Sequence, residues 1–106
     1  MADFCIVMTT TASADEAERI ASALVEAQLA ACVSIVAPIT SVYRWKGAIQ
    51  KEQEWLLLIK TMASAFKSLS RKIQELHSYD LPECIQIPID GTAEYLGWIA
   101  ESVRWD

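Results

Sequence analysis

Glycine, proline and histidine are scarce in this 106-residue chain, with three, three and one respectively. Three scattered glycines provide no Gly-rich cradle for phosphate, and no G-x-S-x-G or Cys/His nucleophile signature is present, so an enzyme has little support. The cysteines, Cys5, Cys32 and Cys84, form no C-x-x-C spacing. Their odd number and apolar surroundings read as buried, reduced thiols. Basic charge is also short. Nine Lys and Arg against fourteen Asp and Glu give a net charge of −5, the wrong sign for neutralising a phosphate backbone, so nucleic acid is excluded as a partner. The one long uncharged stretch, 27–43, contains Gln28, Ser34, Pro38, Thr40 and Ser41. It falls short of the ~20 apolar residues of a membrane helix, and a strand is expected there instead. Met1-Ala2-Asp3 enters a strand at once without a basic segment, which argues against a signal peptide.

What is abundant is apolar surface. Hydrophobic residues make up 53% of the chain and mean hydropathy is +0.21, more than a small domain needs for its own core. The surplus points to surface covered by a partner. Its longest expression is a pair of strand-like runs, Ala31 to Trp45 and Gln53 to Thr61, joined by Lys46-Gly47-Ala48-Ile49. The first would extend ~45–50 Å at strand rise, whereas a domain of this size has a radius of gyration of about 13 Å. Such an arm must bend, stand exposed or pack on another subunit.

No repeat or flexible linker divides the chain, and one domain spans 1–106. Phe4 to Met8 and Trp55 to Ile59 are apolar at every position, as in strands buried on both faces. Ser13 and Glu16 form a capping box before a helix with Ile20, Leu24 and Ala27 on one side. Its end, near Gln28 to Ala30, carries no glycine stop. A second amphipathic helix is expected from Ser64 to Leu76, a half-polar strand over Cys84 to Ile89, and a last helix capped by Thr92. The order β-α-β-β-α-β plus a helix is that of the ferredoxin-like α+β sandwich. That fold places its first and third strands centrally, and here those are the all-apolar ones. The second and fourth hold Pro38 and Pro88, which suit an edge or a bulge. Helices cover one face of such a sheet, so a second copy of the chain is the expected cover for the other.

Candidate chemistry centres on Leu76-His77-Ser78-Tyr79-Asp80-Leu81-Pro82-Glu83. His77 can bind a divalent cation or relay a proton, or it can serve only to hydrogen-bond its loop. Lys60, ending an apolar strand, can pair with Glu83 or Glu54, reach past the sheet on its aliphatic stem, or meet an anion. Tyr43, Trp45, Trp98 and Trp105 are suited to subunit contacts.

Together these segments resemble the CutA divalent-cation tolerance family. The resemblance rests on Ala30-Ala31-Cys32-Val33-Ser34-Ile35-Val36, Thr40-Ser41-Val42-Tyr43-Arg44-Trp45-Lys46-Gly47, Leu57-Leu58-Ile59-Lys60-Thr61, His77 to Glu83 and Tyr95-Leu96-Gly97-Trp98-Ile99. It implies a trimer similar in architecture to the PII signalling proteins, with long hairpins wrapping neighbouring subunits. It also implies a cytoplasmic, non-enzymatic protein of divalent-cation tolerance, with copper bound by some members. By position, the family's cleft residues fall on Tyr43, Trp45, Lys60, His77, Tyr79, Glu83 and Trp98. Two positions depart from the copper-binding pattern: Thr9 stands where some members have Cys, and Leu76 precedes a single His77. No cofactor is therefore required, and a divalent cation such as copper is expected to bind weakly through His77. The alternative is an interaction trimer that presents a surface to a protein partner and takes no small ligand.

Overall fold

The computed structural model describes residues 3–104, so Trp105 lies outside the described residues. The elements are β1 (Phe4–Thr11), α1 (Ala14–Glu26), β2 (Cys32–Trp45), β3 (Ala48–Met62), α2 (Phe66–Leu76), β4 (Ile85–Ile89) and α3 (Ala93–Ser102), with a short 3-10 turn leading into α2. One antiparallel sheet has the order β2-β3-β1-β4. This is the expected ferredoxin-like arrangement, with the apolar strands inside and the proline-bearing strands at the edges.

Register separates the two sheet faces. Cys5 and Val7 of β1 and Leu57 and Ile59 of β3 point at the helices, where they pack with Ile20, Leu24, Leu69 and Ile73. Their register neighbours form the opposite face. There Ile6 lies between Lys60 and Ile87, and Met8 between Leu58 and Ile85. Ile85 and Ile87 are 50% and 46% exposed, whereas the strand centres are half-buried. Among the described residues only one end of this face is capped, where Ile99 of α3 and Val103 of the C-terminal tail meet Phe4 and Met62.

The β2–β3 hairpin is longer than its composition indicated. β3 starts at Ala48 rather than Gln53, and the connection is two residues, Lys46 and Gly47, at φ +50° and +82°. Two successive positive φ values give the tight turn whose twist matches that of paired strands. Cross-strand pairing then continues through Gln50 to Gln53, although neither their hydrophobicity nor their alternation reads as a strand. Ala37 and Pro38 of β2 stand opposite the single Trp55 of β3, because Val36 pairs with Leu56 and Ile39 with Glu54. The expected bulge at Pro38 is therefore present, and it re-aims the arm. The molecule measures 44 × 23 × 23 Å.

α1 ends without glycine because Gln28 itself takes the left-handed conformation, at φ +58°. The amides of Leu29 and Ala30 both close onto the carbonyl of Leu24, satisfying the helix end.

Candidate functional site

The bulge brings the arm beside the loop between α2 and β4, and a cavity of about 570 Å³ lies between them. On the arm, Ser41, Tyr43 and Trp45 alternate along β2 and share their face with Glu54 of β3. The opposite wall is Tyr79, Asp80, Leu81 and Glu83, and Thr10 of β1 also contributes to the lining. Among the described residues no Lys or Arg lines this space, and three carboxylates do.

The loop is pinned to the body from beneath. The His77 ring is wholly buried, with Nε2 2.7 Å from the carbonyl oxygen of Thr10. A carbonyl only accepts, so that contact assigns the proton to Nε2. Nδ1 is then free to accept from the Tyr79 amide at 3.1 Å. With both nitrogens engaged, a metal ion reaches His77 only if the loop moves. Glu16 holds the next residue, its Oε2 accepting from the Ser78 amide at 2.7 Å and lying 3.7 Å from His77 Nδ1. Burial pushes the Glu16 carboxyl up, but the Ser78 hydrogen bonds, His77 and the Ala12 amide outweigh it and hold the group below its ordinary value.

Held in this way, Tyr79 donates its hydroxyl to Glu54 Oε2 at 2.8 Å, and Glu54 is only 6% exposed. Burial, followed by the bond to and charge of Glu54, raises the Tyr79 phenol well above its usual range. Desolvation and then the charge of Glu54 raise the carboxyl of Glu83, which stands at the exposed rim. Desolvation and the charges of Glu52 and Glu54 likewise raise Tyr43. The site thus holds negative charge crowded beside three aromatic rings, and it favours a cation. Among the described residues no three His, Cys, Asp or Glu side chains converge as a ready-made metal site.

Of the seven residues singled out by resemblance, the cavity gathers Tyr43, Trp45, Tyr79 and Glu83. His77 lies behind it as a support. Lys60 and Trp98 do not line it within one chain. Lys60 emerges on the open sheet face, 3.5 Å from Ser34 Oγ and 4.0 Å from Cys32 Sγ. Neither expected carboxylate pairs with it, since its register partners are Ile6 and Cys32 rather than anything on the arm. Trp98 is an exposed residue of α3, its ring 5.4 Å from that of Tyr95. Sequence reasoning placed Asp80 in the candidate segment but missed Glu54 and Glu16 as site residues. Glu54 did carry a signal, as the acid that interrupts the alternating Leu56 and Leu58 face.

Fold and cavity together define a ferredoxin-like α+β protein with a cation-attracting cleft beside an overlong arm. The chain belongs to the CutA1 divalent ion tolerance protein family, whose model matches residues 5–102. This is a tolerance family and not a known enzyme family. The divalent-cation tolerance protein CutA of Thermus thermophilus is 47% identical over 98 residues, covering 92% of this chain and 95% of that one. The chloroplastic protein CutA of Arabidopsis thaliana is 40% identical over 100 residues, 93% of this chain but 55% of that protein. The chain thus spans little more than half the length of its plant relative. Among solved structures, CutA1 from Oryza sativa superposes with a TM-score of 0.95 at 38% identity, covering 99% of this chain and 97% of that one. The Thermus thermophilus divalent cation tolerance protein gives 0.93 at 45% identity, covering 95% and 99%.

Proposed function

We propose that the protein works as a cytoplasmic homotrimer in the response to divalent cations such as copper, binding its ligand without catalysis. The observation that carries this reading is the cavity lined by Glu54, Asp80 and Glu83, with no counter-cation among the described residues. Assembly is supported by the open sheet face, where Ile85 and Ile87 are each about half exposed beside Met8, Leu56 and Leu58. A copy seated there would cover this face and bring its own Lys60 and Trp98 toward the clefts between subunits. Divalent metal would be held weakly, because its carboxylate ligands are dispersed and His77 is already hydrogen-bonded on both sides.

Calorimetric titration with copper and other divalent ions tests the reading. Weak, saturable binding is expected, reduced in Glu83→Gln and little changed in His77→Asn. Absence of binding heat at millimolar metal would remove the cation role. It would favour the alternative, an interaction trimer, for which the exposed Tyr95–Trp98 pair on α3 is a suitable contact.

A further inference from the structure

The cavity is better matched to an organic cation than to a bare metal ion. A divalent ion held by the protein needs several side-chain ligands converging on one point, and among the described residues no three His, Cys, Asp or Glu side chains do so. The volume of about 570 Å³ instead falls within the ~300–1,000 Å³ of small-molecule sites. Tyr43, Trp45 and Tyr79 offer ring surfaces, which attract cations through their quadrupoles and cover alkyl chains equally well. Glu54 is 6% exposed, and its Oε2 accepts from the Tyr79 hydroxyl. Glu83 supplies a further carboxylate at the rim. Carboxylate oxygens at the cavity accept from N–H donors, and a primary ammonium offers three.

We propose that the cavity between the β2–β3 arm and the loop after α2 binds a small primary alkylammonium compound. Its ammonium sits on Glu54 and Glu83, and its chain lies along Tyr43, Trp45 and Tyr79. This rests on reading the cavity as a cation site, and it replaces a metal by an amine as the occupant. The same chemistry is carried by a lysine side chain, and Lys60 pairs with no carboxylate among the described residues. The test must separate these two sources.

Titration calorimetry of the assembled protein with n-butylammonium chloride, with neutral n-butanol as its near-isostere, provides that test. Saturable binding of the amine alone is expected, weakened about tenfold by Glu83→Gln through loss of a charged acceptor, and weakened also by Tyr43→Ala. Both positions are exposed, and circular dichroism of each variant checks that the fold is kept. Equal binding of the alcohol, no amine binding, or binding that neither substitution weakens would overturn the proposal. Amine binding that emerges only in Lys60→Met would also overturn it, assigning the cavity to a lysine of another copy. Copper binding without amine binding leaves the cation reading standing and removes this one. Amine binding without copper binding keeps the cavity as a cation site and removes only the metal as its occupant.

Discussion

Glu16 links two parts of the chain that are far apart in sequence. Ser13 Oγ accepts from its amide at 3.1 Å as the capping pattern foretold. The reciprocal contact, however, goes to the Ala12 amide at 3.4 Å, because the other carboxylate oxygen is committed to Ser78. That second role was illegible, since nothing local announces a partner 62 positions away. The cap itself was legible from spacing alone. Because folding lowers the pKa of Glu16, its stabilisation is complete above the unfolded value of about 4.3. It fades as pH falls through the lower folded value. Urea unfolding of Glu16→Gln is expected to show a loss of roughly 1–2 kcal/mol at pH 7. The difference from the parent should shrink toward pH 3. A constant difference across that range would show that the charge plays no part. His77 was open to two readings in sequence, and burial with both ring nitrogens occupied shows its supporting contacts. A lone histidine in a polar loop gives no sign of which way it faces.

Individual elements were read with uneven success for one reason. Periodicity reports burial, so segments that face the core declared themselves: β1, the inner half of β3, and α1. The outer half of β3 faces solvent and owes its conformation to pairing with β2, and its polar residues carry no strand signal. The stop of α1 was obscure for a related reason, since a glutamine occupies a backbone conformation that glycine ordinarily takes. That exception is testable. Gln28→Gly relieves a left-handed non-glycine conformation that costs ~1–2 kcal/mol, offset in part by added freedom of the unfolded chain. A net gain of about 0.5–1 kcal/mol in chemical denaturation is expected. A loss would mean that the side chain contributes more than its backbone geometry costs.

At the scale of the whole molecule, sheet order was recoverable from where the prolines lie. The cavity was not, because it arises from the direction of the arm rather than from any motif. The uncovered face was anticipated from strands apolar at every position, and it leads to a test of assembly. Leu58→Glu places a charge on that half-buried face, away from the helix-side core. The variant is expected to remain folded by circular dichroism but to sediment as a monomer where the parent is expected to sediment as a trimer, since a buried unpaired carboxylate is strongly disfavoured. A variant that still sediments as a trimer would place the contacts elsewhere. The bulge at Ala37 and Pro38 has a consequence for how such a protein can vary. Body and arm meet at one extra residue, and beyond it the faces alternate strictly. Removing two residues from each strand near the tip therefore shortens the reach by about 7 Å and leaves every remaining side chain pointing as before. Removing one from each inverts every side chain between the deletion and the turn, and a deletion at Arg44 and Ile49 would turn Trp45 away from the cleft. Reach can therefore drift in even steps among relatives while the pocket at the base of the arm keeps its chemistry.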